Sequence, residues 1–344
     1  MHIPDGYLSP STCAVMYAAS APCWWMALRR MRRKLFGRTL PLLSLFAAFS
    51  FVVMMFNLPL PGGTTGHAVG VGIAAIVLGP WGASLAISLA LAIQALFFGD
   101  GGITTLGANC FNMAIAGSFA AWGIYRLVSL GAAAESRRRV IAAALAGYGA
   151  INLSALLAAV EFGIQPMLFH DATGAPLYAP YRLGIAIPAM MAGHLTVAGA
   201  AEAVMSAGLF SYLRRSDPAL LGIAPQSAPR AAASLWGVLA VALLLTPLGI
   251  LAGGAAWGEW APRDFADAAA RARIAAASGN VAAPAAVPSG LARLASLWTA
   301  PMPSYAPQFI RSTAFGYLLS AMFGVGAILG AAWLVQRVLP RREP

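Results

Sequence analysis

Long apolar runs separated by short polar or basic stretches fill most of this chain. They fall at 8–28, 40–57, 67–80, 82–98, 105–127, 140–162, 184–212, 232–255 and 313–337. A helix crosses the hydrocarbon core with about 20 apolar residues, or fewer where it is short and packed inside a bundle. The pattern therefore predicts nine spans. The third and fourth are short, and Gly79-Pro80-Trp81-Gly82 separates them. They are two short helices or a re-entrant pair, and either arrangement returns the chain to the same side.

Composition agrees with this pattern. Of 344 residues, 60% are hydrophobic and 10% charged, and the mean hydropathy is +0.74. Soluble domains carry about 25% charged residues, so the fold class is an all-α polytopic membrane protein with the lipid bilayer as its main partner. The net charge of +11 does not point to nucleic acid, because the basic residues sit in short clusters between apolar runs. Segment 29–38 holds six, 126–139 four, 214–230 three and the tail from Arg337 three. Under nine spans all four clusters fall on one side, which the positive-inside rule makes cytoplasmic. The C-terminus is then cytoplasmic in a multi-pass protein of the cell (inner) membrane. The N-terminus and the loop 57–66 face outward.

The remaining composition narrows the chemistry. Cys13, Cys23 and Cys110 lie inside apolar runs and form no CxxC, so neither a thiolate metal cluster nor a disulfide framework is expected. The start of the chain has no basic n-region and no apolar h-region, so Met1 is expected to begin the mature protein. Three regions follow from composition: residues 1–215 with seven spans, a polar Pro-containing linker at 216–231, and residues 232–344 with two spans around an outer segment, 256–311, rich in Ala and Pro. The outer segment is a small domain or a loop.

A free Met1 amine followed by His2 is a chelator. The amine, the His2 backbone nitrogen and the imidazole close a five-membered and a six-membered ring around one ion. Three nitrogens in one plane favour Ni(II) and Cu(II), with Co(II) behind. His67 follows the Gly-rich turn 62–66 on the same predicted face and can supply the missing ligand. Alone, each histidine reads as a tail or helix-end residue; together on one face they read as ligands. Asp100, between glycines, is a turn residue or a hydrogen-bond partner for a liganding histidine. Asn109 and Asp5 could fix the N-terminal segment, or Asn109 could simply join helices. His194 and Glu202, two turns apart in the seventh span, form a relay or a structural contact. His170 reads as a surface residue, and Gly326 with Gly330 as a packing motif.

These residues occur in three ordered motifs: Met1-His2-Ile3-Pro4-Asp5-Gly6-Tyr7-Leu8-Ser9-Pro10; Gly63-Thr64-Thr65-Gly66-His67-Ala68-Val69-Gly70 with Leu78-Gly79-Pro80-Trp81; and the run from Gln94 through Gly99-Asp100-Gly101-Gly102 to Asn109, then Phe111-Asn112-Met113. Over residues 1–215 the chain resembles the NikM/CbiM family, the substrate-binding (S) components of energy-coupling-factor transporters for nickel and cobalt. The resemblance implies a seven-helix S-component bundle and an ion held by Met1, His2 and His67, with Asp5, Thr65, Asp100 and Asn109 around them. It implies Ni2+ or Co2+ as transported substrate, no organic cofactor, and partners in a transmembrane coupling (T) subunit and ATP-binding cassette ATPases. It also implies that 232–344 is a fused NikN/CbiN-like accessory part. There, Pro288-Ser289-Gly290-Leu291-Ala292 departs from the related Pro-Asp-Gly-Leu-Glu element at both acidic positions.

No GxxxxGK[ST] occurs and Lys34 is the sole lysine, so no P-loop is present. No HExxH or Ser-His-Asp setting points to an enzyme. The rival is a stand-alone secondary transporter, which needs buried carboxylates on a relay; Glu161 and Glu202 are the candidates.

Overall fold

The computed structural model describes residues 1–32, 39–223, 231–307 and 309–338. Arg33, Lys34, Arg38, Arg230, Arg341 and Arg342 of the basic clusters, and residues 224–230 of the 216–231 linker, lie outside the described residues. Helices dominate. They are α1 (Pro10–Met31), α2 (Thr39–Met54), α3 (Val71–Phe98), α4 (106–128), α5 (Arg137–Leu168), α6 (Leu183–Ser216) and α7 (Ala231–Leu245). Three short helices follow in the outer segment, α8 (Pro262–Ala266), α9 (Ala268–Ala277) and α10 (Ser289–Leu294), before α11 (Thr313–Val338). By length and composition α3, α5, α6 and Thr313–Arg337 can each cross a membrane, and Thr39–Met54 and Leu235–Leu251 are shorter apolar helices.

Among the described residues eight long helical runs stand where nine spans were expected, because the third and fourth form one run. That run is broken within. Gly79 has φ 73° and ψ 168°, a conformation open to glycine and outside any helix. His67, just before the run, and Asp100, just after it, both lie against His2. The two arms therefore bring the chain back to its starting face, as the Gly79-Pro80 break predicted. With α3 counted as two arms, residues 1–216 form seven helices.

Small residues let the bundle close. A Cβ at Gly72 on α3 would stand 2.7 Å from Gly147 Cα on α5. Ala142, Ala143, Ala146 and Ala150 extend the same buried face. Such backbone approach is how helices associate in lipid, where tails are as apolar as leucine. The two C-terminal long helices, α7 and α11, pack on α2. The region between them is folded, and it covers one end of the bundle.

A hairpin of β1 (Leu58–Leu60) and β2 (Thr64–Gly66) leads into His67. Gly62 (φ 82°) and Gly63 (φ 73°) make its turn. The first nine residues form no regular element, and they pack inward as a plug. Ile3, Tyr7 and Leu8 are fully buried. Ser9 ends the plug and caps α1, accepting from Thr12 N at 3.1 Å.

Candidate metal centre

The plug is held at every turn by groups far along the chain. Asn109 Oδ1 accepts from Ile3 N at 2.8 Å, and Asn109 Nδ2 donates to Ile3 O at 3.1 Å. Thr105 Oγ1 also donates to Ile3 O, and Gly102 N does so at 2.9 Å. Asp5 accepts from Ile103 N at 3.1 Å, from Thr104 N at 2.7 Å and from the Thr104 hydroxyl. Gln165 Oε1 accepts from Ser9 N at 2.9 Å. Asp5 and Asn109 are thus anchors of the segment. Gly102 is required here, because a Cβ at that position would collide with Asp5.

The anchored plug puts Met1, His2 and His67 together. The His2 and His67 rings meet edge to face, centroids 4.9 Å apart, and all three residues are buried. His67 Nδ1 donates to Ala68 O at 3.0 Å, which fixes the tautomer and leaves Nε2 with its lone pair. Burial, then the neighbouring His2 and the Met1 amine, push the His67 imidazole down to about 3. It is neutral, the form that ligates a metal.

Carboxylates hold the other two groups. The Met1 amine donates to Glu259 Oε1 at 3.2 Å. His2 Nδ1 donates to Asp100 Oδ1 at 2.5 Å. Burial by itself raises the Asp100 carboxyl, but the adjacent His2 outweighs it and brings the group below its ordinary range. Asp100 Oδ2 accepts from Tyr305 Oη at 2.5 Å and from Gln94 Nε2 at 3.3 Å. The His2 Nε2 is buried without a partner among the described residues. The nitrogen expected to close the six-membered ring, Nδ1, is therefore engaged with Asp100 in this arrangement. A half-turn of the ring frees it.

Thr65 points elsewhere. Its backbone N donates to Ala255 O and its hydroxyl to Gly254 O, so it ties the His67 hairpin to the outer segment. Asn112 pairs with Glu161 at 2.9 Å. His194 is buried, with Nδ1 on Met190 O at 2.8 Å, while His170 is exposed as expected. Gly326 and Gly330 have no neighbour within 4 Å among the described residues, so that motif packs against nothing here.

Sequence reasoning did not find Glu259, Tyr305 and Gln94. Glu259 carried one signal, as a carboxylate in Trp257-Gly258-Glu259-Trp260 within an outer segment otherwise rich in Ala and Pro. Trp260 O accepts from Tyr7 Oη at 2.7 Å, so the same turn grips the plug twice.

The sequence model of the family described as the cobalt uptake substrate-specific transmembrane region, CbiM, matches residues 2–220. The fused nickel transport protein NikMN of Rhodobacter capsulatus is 58% identical over 99% of both chains. The cobalt transport protein CbiM of Geobacter sulfurreducens is 34% identical over 74% of this chain and 72% of its own length. A crystal structure of a truncated transition metal transporter superposes with a TM-score of 0.59 at 52% identity, covering 62% of this chain and 99% of that one.

Proposed function

The chain belongs to the CbiM family of cobalt uptake transmembrane proteins, and from that premise we propose that it captures nickel, with cobalt next in order, and delivers it inward. Its relatives are metal transport proteins, not enzymes. The observation that carries the reading is the convergence of the Met1 amine, His2 and His67 in one buried pocket. The ion is ligated by the amine, the His2 backbone and imidazole nitrogens, and His67. The His2 N–H has no acceptor among the described residues, while the next amide, Ile3 N, is taken by Asn109. That leaves the His2 amide the one free to lose its proton to a metal. On loading, the amine leaves Glu259 and the imidazole leaves Asp100. Asp5 and Asn109 keep the plug in place, and Asp100 remains beside the ion as a hydrogen-bonding and charge partner.

The N-terminus faces outward and the arginine-rich end faces the cytoplasm. The match along the whole length of a fused transport protein supports taking residues 232–344 as an accessory part joined to the 1–215 metal-binding part. Inward delivery falls to a coupling subunit and ATPases, since this chain has no nucleotide-binding loop.

The test is the metal content, by mass spectrometry, of purified protein loaded with Ni(II) or Co(II), beside a variant with one residue added before Met1. The addition displaces the amine and leaves every side chain intact. The native chain is expected to hold one ion and the extended chain none. Equal loading of the two would remove the amine from the ligand set. The ion held more tightly identifies the substrate.

A further inference from the structure

We infer that Glu202, on α6, is the positioning residue that holds His67 against His2; this rests on the reading of His67 as a ligand. Glu202 is completely buried. Its Oε2 accepts from Val69 N at 2.7 Å and Gly70 N at 2.9 Å, and its Oε1 from Gly72 N at 3.1 Å. No Lys or Arg pairs with it among the described residues. Its charge is met by the amides that open the first arm of α3, the pole of the helix suited to an anion.

This anchor begins two residues after His67. The stretch between them has little freedom. Gly70 sits at φ 77°, and a Cβ there would be 2.9 Å from the Phe49 ring. A Cβ at Gly147 would stand 3.1 Å from the Glu202 side chain and 2.5 Å from Ser206 Oγ, so α5 closes over the carboxylate. His67 fixes its own ring on Ala68 O. Backbone anchor and ring anchor together determine where Nε2 points. Without the carboxylate, three buried N–H groups lose their acceptor, and the turn that carries His67 must find another shape.

Glutamine at 202 tests this. It keeps the volume, but its amide NH2 meets at least one of the N–H donors. The full chain in detergent is titrated with nickel chloride, and each variant's melting temperature is recorded beside its affinity. Glu202→Gln is expected to weaken nickel binding by about tenfold, equivalent to ~1.4 kcal/mol. In a His67→Ala background, where the Met1–His2 chelate alone remains, the same substitution is expected to cost nothing further, because Glu202 acts through His67. Glu161→Gln, at a buried carboxylate on α5 that meets Asn112, is expected to leave affinity within about twofold of native. Glu202→Asp keeps the charge at shorter reach; with an intermediate loss and an unaltered melt, it carries the test if Glu202→Gln does not fold. The inference falls if Glu202→Gln binds as native does, or if its loss persists in the His67→Ala background. A native chain that holds no nickel would instead overturn the function itself.

Discussion

The two ends of the bundle handle charge in opposite ways. At the plug end two of the cationic or chelating groups meet carboxylates, the amine Glu259 and His2 Asp100, while His67 meets the carbonyl of Ala68. At the far end arginines meet no carboxylate among the described residues. Arg138 and Arg139 donate to the carbonyls of Val128, Ala132 and Ala133, and Arg214 to those of Glu135 and Ser136. Four others lie over tryptophans, Arg29 on Trp25, Arg30 on Trp81, Arg126 on Trp122 and Arg337 on Trp333, at 4.8 to 5.2 Å. Tryptophan and arginine together at one level suit a lipid headgroup layer. In the proposed reading one end holds a cation in dry surroundings and the other lies against an anionic surface. Charge count alone would not separate them; the partners do.

This contrast breaks most severely at His67. Replacing it by Ala removes a ligand and should lower nickel affinity by more than the 10–100-fold typical of losing an outer-shell partner, read by competition with a coloured chelator. Asp100→Asn, which keeps the shape but removes the negative charge that stays beside the ion, should cost about tenfold in the same assay. Tyr305→Phe, which takes one donor from Asp100, should cost less than Asp100→Asn.

Acidity sharpens the contrast. His67 is lowered from 6.5 to about 3 by burial first. It therefore takes no proton between pH 8 and 5, and any loss of nickel over that range comes from protons on the other nitrogens. His67→Ala should lower affinity at every pH without changing its slope against pH. For the protein without metal the sign is fixed by the same shift. The unfolded chain binds this proton below 6.5 and the folded chain only near 3, so stability is full above 6.5 and falls as pH drops between those values. At the opposite end, Arg30→Gln should leave nickel affinity within about twofold and reduce stability by only ~0.5–1 kcal/mol, the worth of an exposed cation–π contact.

Much of this was legible in the sequence, for physical reasons. Lipid demands long apolar runs, so spans announce themselves. Gly79-Pro80 cannot continue a straight helix, so the α3 break was readable. His2 and His67 stood out because an amine beside one histidine and a glycine turn before another have a definite chemistry. Asp100 and Asn109 were each readable in two ways, and only their contacts with His2 and Ile3 chose between them. Glu259 carried only the signal of a carboxylate between tryptophans, and Tyr305 none. Their partners lie 258 and 205 positions away, and no periodicity reports such distances. Tyr305 also sits at φ 59°, a backbone state that propensity does not foresee for tyrosine.

The span between Met1 and Glu259 sets an order of events during synthesis. A ribosome adding about 5–20 residues per second takes roughly 13–50 s to pass from the first residue to the carboxylate that meets it. For most of that interval the amine is outside the ribosome and its counter-ion does not yet exist. Any enzyme that acylates or trims nascent chains works within that window, and a single acetyl group added then would spoil the pocket before the last helix was made. If the amine is a ligand, as proposed, it has to stay bare through this interval for the pocket to load.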